Sequence, residues 1–297
     1  MMPRIEGWIL DAYIEGDRAV LWVKTVDGEA VRLTDRYTPS FYMEPKENTE
    51  VERLIEVLET HPHIIKVEEE SKYVSLDADH KSRVLHIFVD SSRNFNTVID
   101  DVRKLGVAEA YYNITILHVQ RYLFEKNLPP TCRASITYED EGRLCSIQVL
   151  NDDREIEPPP FTQLLFDVQT GTGKPSQDVK SNPIMKIVVY DMDLEPIKVF
   201  DGLEDHVLQS FSEYVEEADP DFLVGVDVEK SLVHVLERAR ICGLNIQLGR
   251  EEVDIHKLWR LLPYALRGRV YIDLDTLFSM GIEGLVERSR WTLAPPR

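Results

Sequence analysis

The sequence predicts two domains in series, an α+β domain at the amino terminus followed by an α/β domain with a mixed sheet and flanking helices. Three observations predict it. At 297 residues the chain has room for two separate cores. Strand-like and helix-like hydrophobic spacing alternate along it, without an internal repeat. The stretch 151–160, "NDDREIEPPP", interrupts that pattern with acids and three consecutive prolines, which favour extended backbone.

Residues 8–14 (WILDAYI) and 19–24 (AVLWVK) flank "EGDR" and read as a β-hairpin. "RYTPSFYMEP" follows as an extended aromatic segment with prolines at 39 and 45. In "NTEVERLIEVLETHP", Val51, Leu54, Ile55 and Leu58 share a helical face, with Asn48 or Thr49 as cap. "HIIKVEEE" and "RVLHIFVD" read as strands. "NFNTVIDDVRKLG" carries Phe95, Val98, Ile99, Val102 and Leu105 at helical spacing and stops at Gly106. These elements place the first domain at 1–125. Residues 126–160 read as a connecting segment in which "RLCSIQVL" has the pattern of a strand.

The second domain is expected over 161–297. Strands are expected at 163–168 and 185–191, with a hairpin partner near 196–200. A helix at 204–217 shows Val207, Leu208, Phe211, Tyr214 and Val215 on one side. Strand 222–226 leads into a helix at 230–242, and "GRVYIDL" at 268–274 forms a further strand.

Composition narrows the function classes. No run approaches eighteen apolar residues, so a membrane span is not expected, and "MMPRIEGWILDAY" lacks the order of a signal peptide. Cys132, Cys145 and Cys242 fit no zinc pattern and suit a reducing, cytoplasmic setting. The eight histidines are scattered, none at a metal-like spacing from a Cys or carboxylate. A net charge of −19 repels a phosphate backbone unless Lys and Arg are gathered locally, so strong DNA binding by the chain alone is not expected. One such gathering lies between 238 and 269, where Trp259 and Tyr264 are interleaved with positive charge. It suits either stacking on single-stranded nucleic acid or the basic solvent face of an amphipathic helix. Arg288 and Arg290 in the tail "ERSRWTLAPPR" are similarly open to two readings.

The candidate chemistry begins at Asp167, at the polar end of an apolar strand and before a Gly-rich loop, a placement that suits a site at a sheet edge or a simple turn cap. "LLFDVQT", "EEADPDFLVGVDVEKSLVHVLERA" and "GRVYIDL" occur in an order and spacing that resemble the exonuclease region of archaeal family-B DNA polymerases. "RYTPSFYMEP" and "ILHVQRYLFEKNLPP" resemble that family's amino-terminal domain, so the resemblance runs along almost the whole chain.

The resemblance implies an RNase-H-like second domain, truncated at its carboxyl end, whose nuclease site holds two Mg²⁺ or Mn²⁺ ions about 4 Å apart on carboxylates. The motifs here depart from that pattern. The first, D-x-E, reads Asp167-Val168-Gln169, and Gln offers no negative charge. The second, a Tyr-Asn pair followed by Phe-Asp, reads Val226, Asp227, Ser231 and Leu232. No Tyr-x-x-x-Asp match follows residue 274. A degenerate site is therefore expected, with Asp167 the remaining carboxylate and no bound metal; Mg²⁺ or Mn²⁺ enters only if Asp227, Glu229, Asp273 or Asp275 rebuild the site.

In the first domain the resemblance implies a template-uracil pocket at Tyr13, Pro39, Ser40, Phe95, Ile116 and Arg121. Here Ser40 replaces an aromatic residue, Phe95 a small aliphatic one, and His118 a wall aromatic. A Phe at the floor fills space that a base must occupy. Arg121 is a phosphate candidate or a solvated surface charge. The expected partners are DNA, a polymerase core in the same or another chain, and replication or repair proteins, with no membrane.

Overall fold

The structure, a computed structural model, describes residues 3–150, 159–173, 175, 178–258, 260–277 and 279, and the chain divides into two compact units, Met1–Glu157 and Pro158–Arg297.

The first unit contains two antiparallel sheets. One is built from β1 (Arg4–Glu15), β2 (Arg18–Thr25) and β3 (Ala30–Arg36), continues with β8 (Arg133–Tyr138) and β9 (Leu144–Val149), and has the order β3-β2-β1-β8-β9. The β1–β2 turn uses Gly16 at a φ of 64°, a conformation that costs glycine little. The other sheet, of order β5-β6-β4-β7, is made of β4 (Ser40–Pro45), β5 (Ile64–Lys72), β6 (Ser82–Val89) and β7 (Ala108–Tyr112). Two helices connect its strands, α1 (Val51–Glu59) after β4 and α2 (Phe95–Lys104) after β6. Val51, Leu54 and Leu58 of α1 and Phe95, Val98, Ile99 and Val102 of α2 are buried against Phe41, Met43, Leu85 and Ile87 of the strands. The cap differs from expectation: Glu50 holds the position before α1 without a side-chain cap bond. The chain leaves α2 through Gly106 at a φ of 68°.

Residues 126–149, read in the sequence as a connector with one strand pattern, supply both β8 and β9. β8 pairs with β1 and places Ala134 and Ile136 in a core with Ile9, Leu21, Leu33, Tyr37 and Tyr122. A further helix, α3 (His118–Glu125), lies in "ILHVQRYLFEKNLPP", where the sequence pattern had assigned no element.

The second unit has one five-stranded mixed sheet, β12-β11-β10-β13-β14. Its strands are β10 (Gln163–Thr170), β11 (Ile184–Tyr190), β12 (Pro196–Asp201), β13 (Phe222–Gly225) and β14 (Val270–Asp273). β10, β13 and β14 are parallel to one another, and β11 is antiparallel to β10 and β12. α4 (Glu204–Ala218) follows β12 and α5 (Val228–Ile241) follows β13; the four-residue helices α6 (Leu262–Ala265) and α7 (Leu274–Leu277) flank β14. The inward side chains of β10, Leu164, Phe166 and Val168, share one core with Phe211 of α4 and Val235 of α5. Burial of this apolar stripe, at about 25 cal/mol per Å², is the main force that holds both helices to the sheet. Among the described residues no helix is long and apolar enough to cross a membrane.

Candidate functional site at the carboxyl ends of the parallel strands

β10 alternates strictly after Leu165: Phe166, Val168 and Thr170 are buried, while Asp167 and Gln169 are exposed. A spacing of two thus puts Asp167 and Gln169 on one face, the face turned away from the core. The register Leu165↔Val224 and Gly225↔Asp273 brings the carboxyl ends of β10, β13 and β14 to one edge. β10 has β11 on one side and β13 on the other, so the crevice beside it lies at a topological switch point, where open sheets bind ligands. Gly225 is required there: a Cβ would stand 2.8 Å from the Phe166 carbonyl oxygen. The chain then turns through Asp227, at a φ of 51°, into α5.

A cavity of about 710 Å³ opens at this edge, and its lining includes Asp227, Glu229, Lys230, His234, Asp273 and Asp275. Asp167 and Gln169 do not line it. The Lys230 ammonium donates to Asp227 Oδ1 at 2.6 Å. That bond, and the charges of Asp227, Asp275 and Asp273, push the Lys230 amine up from its ordinary value. Burial, together with Glu229 and Asp273, likewise pushes the Tyr271 hydroxyl up. Among the described residues, the acids of this edge form no group of three whose ligand atoms lie mutually within 4.8 Å.

Leu232 is 0% exposed and packs in the core with Phe166 and Val168, whereas Asp167 and Gln169 occupy the opposite face. Ser231 is buried as well, and Val226 is exposed. The periodicity of α5 explains this, because Val228, Leu232, Val235 and Ala239 form one stripe against the sheet. His234, which the sequence did not single out, is 1% exposed; its Nε2 donates to the Asn182 carbonyl at 2.8 Å, and Nδ1 is buried with no partner.

The amino-terminal candidates are largely interior. Phe95 is 3% exposed and meets Phe41 and His118 edge-on, with ring centroids 5.7 and 4.6 Å away. Ser40 and Pro39 are buried, and Tyr13 and Ile116 are half-buried. Arg121 is not a solvated surface charge: it is 6% exposed and donates to Ser40 Oγ at 3.3 Å and to the Asn113 carbonyl at 2.9 Å. His118 bonds through Nδ1 to the Tyr37 hydroxyl at 3.0 Å, and burial beside Arg121 pushes its imidazole down to about 4.

Within the basic stretch 238–269, five arginines are engaged by the protein itself. Arg238 grips Glu204 and the carbonyls of Val179 and Lys180. Arg240 donates to the Ile255 carbonyl at 2.7 Å. Arg250 reaches Asp219 at 2.7 Å and Asp221 at 2.9 Å, and Arg269 reaches Asp219 at 2.8 Å. Arg267 lies 4.7 Å over the ring of Tyr264. Trp259, Arg288 and Arg290 lie outside the described residues.

No family model matches the chain, and no curated protein matches it. Among solved structures, it is similar to the family B DNA polymerase of the hyperthermophilic archaeon Pyrobaculum calidifontis, with a TM-score of 0.76 and 20% identity. The similarity covers 93% of this chain and 37% of that one, so the chain shares the fold of a polymerase region and spans just over a third of that protein's length.

Proposed function

We propose that the chain is the amino-terminal and exonuclease-like portion of a family-B type DNA polymerase, with an RNase-H-like second domain and a nuclease site that no longer works. The sheet order, with three parallel strands and an antiparallel neighbour beside the first, supports the RNase-H-like assignment. One observation carries the loss of nuclease activity: Leu232, where the resemblance expects a metal-binding aspartate, is buried in the core on the face of β10 opposite Asp167. A hydrocarbon offers no oxygen to Mg²⁺ or Mn²⁺, and Gln169 offers no charge. The chain then has a structural role: it positions template DNA or a partner polypeptide for synthesis by a polymerase core, and it binds DNA weakly by itself. Buried Ser40, Phe95 and Arg121 support a filled pocket in the first domain, without room for a template base.

The test is a gel assay on 5′-labelled single-stranded DNA with Mg²⁺ and with Mn²⁺. The substrate is expected to stay full length; metal-dependent shortening that Asp167→Ala abolishes refutes the proposal. A second reading, an active exonuclease with rearranged ligands, is favoured by the gathering of Asp227, Glu229, Asp273 and Asp275 around one cavity. Under it, Asp273→Asn and Asp275→Asn abolish shortening as well. A replication-recruitment module that never touches DNA is separated by fluorescence anisotropy with primer–template DNA, since direct phosphate contact gives a steep salt dependence.

A further inference from the structure

Strand pairing assembles a second group of ligating side chains, far from any sequence motif. His86 of β6 lies directly opposite Glu68 of β5, and Glu70 lies two residues further along the same strand. All three side chains therefore stand on one face of the sheet. Their ligand atoms are mutually within 4.8 Å, a grouping that no other described set of three His, Cys, Asp or Glu residues achieves.

The imidazole is held in place before any ligand arrives. It is stacked on Tyr42 and meets Phe88 at a tilt, with ring centroids 4.1 and 4.0 Å away. Its Nδ1 is 2.8 Å from Glu70 Oε1, and its Nε2 is 2.8 Å from Ser40 Oγ. Arg121 Nη1 donates to the same hydroxyl oxygen at 3.3 Å. The proton positions follow from what each group can do. Glu70 as a carboxylate only accepts, so Nδ1 carries the proton; Nε2 then accepts from the Ser40 hydroxyl, whose oxygen accepts from Arg121. Each polar atom in this line has a partner.

We propose that Glu68, Glu70 and His86 bind one divalent transition ion of the Zn²⁺ class, with water in the remaining position. One imidazole nitrogen and two carboxylates are the donor set that such an ion takes, whereas Mg²⁺ prefers six oxygens. The two carboxylates balance its charge. On binding, Nδ1 gives its proton to solvent and Nε2 takes one from solvent, so the ring stays neutral and Nε2–H now donates to Ser40. Ser40, whose hydroxyl turns from donor to acceptor, thereby acts as a positioning residue that holds the ring in either tautomer. The ion must displace Lys66 from Glu68 and Lys72 from Glu70, at 2.6 and 2.7 Å. Both ammoniums are about half exposed, and such pairs are worth little.

The test titrates the intact chain with ZnCl₂ against a chromophoric chelator. One tightly bound ion per chain is expected, lost in Glu70→Gln and weakened in Glu68→Gln. Ser40→Ala is expected to lower the affinity about 10- to 100-fold. The Glu variants change exposed or half-buried carboxylates to amides of the same shape, and circular dichroism checks that they fold. X-ray absorption of the zinc complex should show nitrogen and oxygen donors alone. No bound ion, binding unchanged in both Glu variants, a sulfur donor, or binding that survives in them and disappears in His63→Ala would each overturn the site.

Discussion

The two ends of the same three parallel strands are built on opposite terms. At their amino ends, charge is bonded within the protein, with Asp221 and Arg269 buried and Asp219 half exposed. Thr162, just before β10, donates from its backbone to Asp221 Oδ2 at 2.7 Å, and Asp221 is 0% exposed. Arg250 binds the other oxygen of Asp221 and, with Arg269, also binds Asp219. Arg269, just before β14, further donates to the carbonyls of Pro220 and Leu248 at 3.0 and 2.9 Å. At the carboxyl ends, acids surround a cavity, and the Lys230–Asp227 pair has side chains 71% and 41% exposed. The lesson concerns which charges can vary. The closed end fixes where the strands begin, so removing Arg250 takes the ion-pair partner from the fully buried carboxylate of Asp221. The open end fixes nothing of that kind, and its acids and amides can change without unfolding the sheet.

Leu232→Asp should have the largest effect, because it asks the core to hold what the open edge could hold. Losing the apolar contacts alone costs about 2–5 kcal/mol, and an unpaired buried carboxylate adds to that. Urea unfolding should show a collapse of the midpoint for the second unit, and adding Gln169→Glu should rescue neither stability nor Mn²⁺-dependent cleavage. A folded double variant that shortens DNA would show that Leu232 does reach the edge.

Arg269→Ala comes next. It takes one of two arginines from half-exposed Asp219 and leaves the carbonyls of Pro220 and Leu248 without this donor, and a stranded buried acceptor costs about 1–3 kcal/mol. Thermal unfolding measures it. A loss below about 1 kcal/mol would place the arginine among ordinary surface pairs and erase the difference between the two ends.

Much of the fold was legible before any coordinates, and the reason is periodicity. Phe95, Val98, Ile99 and Val102 repeat at helical spacing and are all buried. Phe166 and Val168 alternate with Asp167 and Gln169, which set the face of the candidate site. β3 was illegible because only Leu33 in it is fully buried, so it has no alternation to read. α3 was hidden because its buried residues, Arg121 and Tyr122, are not the apolar stripe that marks a helix. The site divided in the same way. Asp167 stood out from its place at a strand end, and Gln169 and Asp227 from the family resemblance. His86 with Glu68 and Glu70 could not, since they are neighbours only through strand register, 16 and 18 residues apart in sequence. The role of "ADPD" was missed for a similar reason: its aspartates bind arginines that come about thirty to fifty residues later.

Acid should weaken the closed end through Asp219. Burial alone would raise the Asp219 carboxyl, but Arg250 and Arg269 outweigh it and hold the group below its ordinary value of 3.8. A carboxylate lowered on folding adds stability above its unfolded value and loses it as pH falls through the folded value. Wild-type stability should therefore drop below pH 3.8, and Asp219→Asn should flatten that part of the acid limb while costing stability at neutral pH. An unchanged acid slope in the variant would assign the transition to other carboxylates.

The smallest stability effect belongs to Lys230→Ala, and it sharpens the comparison most finely. The pair with Asp227 is exposed, so unfolding should shift by about 0.2–1 kcal/mol at most. Its electrostatic effect should be larger than its structural one. Lys230 is the cation among Asp227, Asp273 and Asp275, and its removal leaves their negative potential uncompensated. Mn²⁺, followed by its paramagnetic effect on water relaxation, should then bind the second unit more tightly than it binds the wild type. If that gain comes without cleavage of DNA, charge alone does not make this edge a nuclease; the missing ingredient is the convergence of oxygen ligands that Gln169 and the buried Leu232 deny it.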